Sequence, residues 1–388
     1  MLAKWIFLMC LIVCIAEAHE LNSIKLFNVE NYGAISDGKI DNNVAFMSAW
    51  NEACNWNGNA SVVIPNGSYM LNPIIFKGPC KGWTTFEIQG VLKAPITHSF
   101  SDISWINFRY IDQLNLTGTG TGILDGQGPW VWGHKHVLMT MSFDFVTNSY
   151  VQQLHSINSQ NAHFSVYSCE NMVFTNLTIT APHNSPNTDG IKLGMCKGIN
   201  INNVHIGTGD DCIAIISGTS KVNISNVYCG PGHGISVGSV GNEGDESIEE
   251  IYVKNCTFNG TSNGLRIKTW AAPLEQPIKA SNFVYEDIVV IDVENPIIID
   301  QHYCPSGNCI HQVPSRVQIS NIHYKNIQGS CKGDVAVSFK CSETFPCQNI
   351  ITEDIYLWSN HCTQEGPSYS CENVNGVSYG EQCPPPCI

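Results

Sequence analysis

The sequence predicts an all-β solenoid, a parallel β-helix built from short strands. Three observations predict it: a repeated block, apolar–polar alternation inside each block, and almost no helical periodicity. Residues 170–179, 197–206, 220–229 and 249–258 are copies of one pattern, and 281–290, 315–324 and 348–357 extend it. The period is roughly 22–34 residues, in the solenoid range. Each copy carries β-branched runs bounded by Gly and Asn, with a recurrent Asn or Asp ahead of its last short strand. Stacked turns satisfy one another's backbone groups and bury a column of Ile, Val, Leu and Phe. The Asn ladder and uneven turn lengths argue against the runner-up, a propeller or sandwich. One helix is expected over residues 42–54, where Val44, Ala45, Ala49 and Ala53 suit a short cap.

At the N-terminus, Lys4 precedes an apolar run over residues 5–15, and Ala16-Glu17-Ala18 fits a small-x-small cleavage site. Residues 1–18 therefore read as a secretory signal and 19–388 as one β-helix domain, with no membrane segment after cleavage. Cys10 and Cys14 fall in the signal, leaving 16 of 18 cysteines, an even number that suits disulfides in an oxidising compartment. Cys304/Cys309, Cys341/Cys347 and Cys383/Cys387 have the spacing of short clips, and Cys212/Cys229 that of a bridge between neighbouring turns. Asn59, Asn66, Asn115, Asn176, Asn223, Asn255 and Asn259 each begin an N-x-S/T sequon. The net charge of −14 disfavours a nucleic-acid partner. It also repels an anionic polymer, which needs a local positive patch to bind.

Four segments carry the candidate chemistry. They are Asn187-Thr188-Asp189-Gly190-Ile191, Gly209-Asp210-Asp211-Cys212-Ile213, Gly232-His233-Gly234-Ile235-Ser236, and Arg266-Ile267-Lys268. Asp189, Asp211 and His233 are 22 residues apart, twice over, and each is followed two residues later by Ile. One turn per spacing stacks them on adjacent turns, about 4.8 Å apart. Leu265 continues the Ile column and aligns Arg266 with Lys192, Ala214 and Ser236. Alternation then sends Arg266 and Lys268 to the outer face and Ile267 inward. The aspartates precede the alternating stretch and fall at the corner entering the strand. Lone Asp-Gly pairs such as Asp37 and Asp125 read as turn formers. Gly118-Thr119-Gly120-Thr121-Gly122 lacks the helix and acidic residue of a nucleotide loop and reads as a coil turn. His134, His136 and His163 lack metal-ligand spacing and are assigned nothing.

These segments, with Val29–Ala34, Asp37-Gly38, residues 124–128 and 297–303, closely resemble glycoside hydrolase family 28, the polygalacturonases. The resemblance spans essentially the whole mature chain. It implies a single-stranded right-handed parallel β-helix and inverting hydrolysis of galacturonosyl linkages in pectin homogalacturonan. Inversion needs an acid and a base on opposite faces of the sugar, about 6.5–9.5 Å apart to admit a water. The family pattern makes Asp210 the acid, Asp189 and Asp211 the pair that activates water, and His233 the partner of the acid. Arg266 and Lys268 supply the positive patch for a uronate. Tyr303 and Asn187 receive supporting or substrate-binding roles. No cofactor or metal is implied, and no oligomer interface is evident, so a monomer in the apoplast or cell wall is expected.

Residues 263–273 and 280–283 look more like exo-acting, pollen-type members than fruit endo-enzymes. Exo action is therefore favoured over endo, then over rhamnogalacturonan hydrolysis, then over a non-catalytic wall-binding protein. A lyase on a similar coil would need calcium held by acidic residues and a cationic base. Ala214 stands where many plant relatives carry Ser, and Ile216-Ser217-Gly218 replaces a more Gly-rich continuation, which leaves subsite detail open.

Overall fold

The computed structural model describes residues 24–97, 100–101, 103–305, 313–359 and 366–388. The expected leader over residues 1–18 and its expected cleavage site lie outside these residues, as does Cys309. No helix among the described residues is long and apolar enough to cross a membrane.

The chain winds as a right-handed parallel β-helix. An 11-stranded parallel sheet takes one strand from each of successive turns, from Ile74–Lys77 to Ser368–Glu372. An 18-stranded sheet covers the remaining sides. Long strands such as Glu170–Thr180 and Lys197–Gly207 serve two sides, because each bends at an Asn in the left-handed region: Asn176 at φ 55° and Asn203 at φ 53°. Asn tolerates that conformation better than other L-residues with a Cβ. The bends stack, and their amides bond between turns: Asn203 to Asn176, Asn255 Nδ2 to Asn226 Oδ1 at 2.6 Å, and Asn326 Nδ2 to Asp287 Oδ1 at 2.8 Å. This is the ladder expected ahead of the last short strand.

A second stack of left-handed residues runs five positions earlier, through Asn171, Asn282, Asn321 and Asn349. It corrects one repeat boundary. Ser320 pairs with Ser281 and with Gln348, so the copy begins at 320 and not at 315. The 315–324 frame matched Asn321, which belongs to the first bend, to the Asn of the second.

The interior is layered by residue type. Trp50, Phe76, Phe86, Phe108 and Phe143 fill the N-terminal turns, with Phe76 and Phe108 rings 5.2 Å apart. Ile, Val and Leu fill the central turns, and Tyr285 stacks on Tyr324 at 5.0 Å further along. Helix Asn43–Cys54 caps the N-terminal end and buries Ala45, Phe46, Ala49, Trp50 and Ala53. Val44 is 82% exposed, against expectation, because the helix turns its Phe46/Trp50 face to the coil. Disulfides join Cys54–Cys80, Cys212–Cys229, Cys341–Cys347 and Cys371–Cys387. The expected Cys383/Cys387 clip is therefore wrong. Cys383 ends the strand Val374–Cys383, while the tail returns Cys387 to the strand Ser368–Glu372. Cys304 is disulfide-bonded. Asp37 and Asp125 act as turn formers, with Asp37 Oδ1 accepting from the N–H groups of Lys39 and Ile40.

Candidate active site

The site lies on the 11-stranded sheet, where Ile191, Ile213, Ile235 and Leu265 pair in one inward column. Lys192, Ala214, Ser236 and Arg266 form the adjacent outward row, in the register the spacing predicts. Asp189, Asp210, Asp211 and His233 sit in the turns immediately before these strands. Backbone bonds tie the turns together: the Gly190 N–H donates to the Asp211 carbonyl, Cys212 to Gly234, and His233 to Asp210.

Glycine makes this packing possible. A Cβ at Gly209 would lie 2.0 Å from the Ser185 carbonyl oxygen, and one at Gly190 2.5 Å from that of Cys212. Thr188 Oγ1 accepts from the Gly209 N–H at 3.0 Å and lies 2.6 Å from Ser185 Oγ. Thr188 and Ser185 therefore buttress the Asp210 turn, a role the sequence reading missed. Only the Thr188 position inside a motif hinted at it.

Asp211 is buried, and a carboxylate there needs partners. It has three. Arg266 Nη2 lies 2.6 Å from Oδ1, Lys268 Nζ 2.9 Å from Oδ2, and Ser236 Oγ donates to Oδ1 at 2.8 Å. Arg266 Nε donates in turn to Ser236 Oγ at 2.9 Å. Ser236 was visible in register but not as a ligand of the cluster. Arg266 and Lys268 do emerge on the outer face, yet both turn back onto Asp211, so they are only partly available as a positive patch. Lys268 Nζ also lies 5.4 Å from the centre of the Tyr303 ring, and Tyr303 packs edge-on against Trp270 at 4.9 Å. Asn187 is exposed, at φ 52°. A cavity of about 390 Å³ opens beside Tyr303, lined also by Gln301, His302, Glu343 and Glu372.

His233 Nδ1 lies 3.0 Å from Asp210 Oδ1, which also accepts from the Asp211 N–H at 2.8 Å. Burial pushes the Asp210 carboxyl up, but the His233 hydrogen bond and charge outweigh it and hold it below the usual range. Asp189 behaves oppositely. Burial, then the charges of Asp210 and Asp211, push it up to about 7. Asp189 therefore binds a proton more tightly than Asp210, which is the stronger acid. His163 is on the adjoining turn, its backbone N–H donating to the Asp189 carbonyl at 2.8 Å and its ring Nδ1 2.7 Å from Ser156 Oγ. Burial drives its ring down to about 3, so it stays neutral.

Asp210, Asp211 and His233 bring potential metal-ligand atoms within 4.8 Å of one another. Those of Asp211 already face Arg266 and Lys268, and His233 Nδ1 faces Asp210. Two cationic side chains against the buried carboxylate make this an ion-pair network, a poor setting for a further cation.

Residues 54–383 match the model of glycosyl hydrolases family 28. The chain belongs to this family. An exopolygalacturonase of Platanus acerifolia is 43% identical over 376 residues, covering 94% of this chain and 98% of that protein. A polygalacturonase of Gossypium barbadense is 40% identical, covering 92% and 89%. An exopolygalacturonase of Oenothera organensis is 41% identical, covering 89% and 98%. Among solved structures, the endo-xylogalacturonan hydrolase of Aspergillus tubingensis aligns with TM-score 0.78 at 22% identity, covering 92% of this chain and all of that one. The Thermotoga maritima exopolygalacturonase aligns with TM-score 0.76 at 18% identity, covering 92% and 91%. Family 28 membership makes the chain a glycosidase, and these two structures share its fold.

Proposed function

We propose that this family 28 glycosidase is a polygalacturonase that hydrolyses α-1,4-galacturonosyl linkages of pectin with inversion, acting from the chain end. The observation that carries the reading is the convergence of Asp189, Asp210 and Asp211 at the entry of adjacent strands, with His233 on one carboxylate and Arg266 and Lys268 on another.

Asp210 donates a proton to the glycosidic oxygen as that bond breaks. Asp189 and Asp211 orient a water, whose oxygen attacks the anomeric carbon from the opposite face and whose proton passes to a carboxylate. In the free site Asp189 binds a proton more tightly than Asp210 does. A bound uronate adds negative charge beside Asp210 and shields it from water, and both effects raise a carboxyl's pKa. Because the three carboxyls titrate as a set, the proton shifts toward Asp210. Arg266 and Lys268 have donors beyond those spent on Asp211, and these face a substrate carboxylate. Tyr303, whose ring lies 5.4 Å from Lys268 Nζ, and Asn187 are assigned supporting substrate contacts.

The exo reading is supported by the relatives named exopolygalacturonase and by the 263–273 segment. The acidic, disulfide-bonded chain fits the expected export to the cell wall.

Digestion of demethylated polygalacturonate at about pH 5, near the carboxylate-to-imidazole range, tests the proposal. Release of monomer alone with slowly falling viscosity is the expected result. A ladder of oligomers with rapid viscosity loss overturns exo action and leaves the bond specificity standing. No new reducing ends from folded, glycosylated protein overturns both.

A further inference from the structure

A second concavity of about 330 Å³ lies on the 18-stranded sheet, away from the catalytic strands. Trp83, Gln113, Asn148, Asn171 and Gly198 occupy one register position on consecutive turns. Tyr150, Val173 and Asn200 form the row beside them. The first row spans four strand spacings, about 19 Å along the coil axis. The far end of the trough is a glycine. Gly198 has φ +71°, and a Cβ there would sit 2.7 Å from Asn171 Oδ1.

The lining has the chemistry of a sugar site. The Trp83 and Tyr150 rings are 6.2 Å apart and inclined by 32°, and Tyr150 is 40% exposed. Such rings offer apolar faces to the C–H face of a pyranose. Asn148 is engaged by Asp112, Asn171 bonds Asn148, and Asn223 donates to Asn200 Oδ1. Among the described residues, no hydrogen bond engages the Gln113 side-chain amide or Asn200 Nδ2, which leaves donors and an acceptor for hydroxyl groups. None of the lining residues is charged. A polyuronide gains no ion pair here and meets the repulsion of a −14 chain, whereas an uncharged chain meets neither obstacle.

We propose that this trough binds an uncharged, linear pyranosyl chain, a neutral polysaccharide segment, and tethers the protein independently of its catalytic sheet. Calorimetric titration of the whole glycosylated protein with cellohexaose and with a linear β-1,4-galactohexaose tests it. Saturable binding of at least one is expected. Tyr150→Ala weakens that binding about tenfold, the loss of one stacked ring, while Tyr150→Phe retains most of it. Hydrolysis of polygalacturonate is unchanged in both variants, which also shows that they fold. Binding of neither hexasaccharide, or undiminished binding by Tyr150→Ala, overturns the proposal. Asn115 begins a sequon and pairs with Tyr150 across the strands. Binding that appears only after enzymatic removal of N-glycans therefore places the protein's own glycan in the trough, and also overturns the tether.

Discussion

Asp189 and Asp210 lie on neighbouring turns yet differ in proton affinity, because burial and the charges of Asp210 and Asp211 outweigh Lys192 and Lys268 at Asp189, whereas the His233 hydrogen bond and charge outweigh burial at Asp210. Removing the acid function by Asp210→Asn should lower hydrolysis by about 10²- to 10⁴-fold while pectin binding, measured by affinity electrophoresis, persists. An undiminished rate would remove Asp210 from the role of acid. The raised Asp189 has a stability consequence of definite sign. Its folded pKa of about 7 exceeds the ordinary aspartate value of 3.8, so the folded state holds a proton that the unfolded state releases. Stability therefore declines as pH rises from about 4 to about 7, by at most about 1.4 kcal/mol per pH unit. Asp189→Asn should flatten that decline in melting temperature across the same window. A parent and variant with parallel profiles would contradict the assignment.

At the scale of the strand and turn, Cys212–Cys229 anchors the residue after Asp211 to the end of the strand Ser220–Cys229. Replacing both cysteines with Ala should cost about 3 kcal/mol in denaturant unfolding, the value for a loop of this length. It should also lower kcat, because the Asp211 turn loses its tie. Gly209→Ala should be worse for activity than for expression. Its Cβ would have to displace the Ser185 carbonyl 2.0 Å away, moving Asp210 relative to His233. Activity of that variant at the parent rate would show that the turn yields without cost. Alternation and the 22-residue spacing made the register of Leu265 and Arg266 legible. The same alternation misplaced residues 315–324, because two left-handed bends five residues apart, at Asn321 and Asn326, look alike in sequence.

Over the whole molecule, charge opposes the proposed substrate. The chain carries −14, and its most buried cations are compensated by Asp211. Raising ionic strength from about 10 to 150 mM shortens the screening length from about 30 to 8 Å. kcat/KM on polygalacturonate should therefore rise over that range, and a steady fall would point to a dominant positive field at the cleft. The layered core, aromatic at the N-terminal turns and aliphatic around the site, follows from a coil in which each turn contacts only its neighbours.

The sequence alone determined the coil, the stacking of Asp189, Asp211 and His233, and the row that carries Arg266. All of these depend on spacing and two-residue alternation, which are properties of a linear pattern. Tertiary structure decided the rest. It turned Arg266, Lys268 and Ser236 onto Asp211, raised Asp189 by burial, paired Cys371 with Cys387 and formed the trough on the 18-stranded sheet. Each of these depends on which side chains meet across turns and how far water is excluded, and spacing along the chain encodes neither.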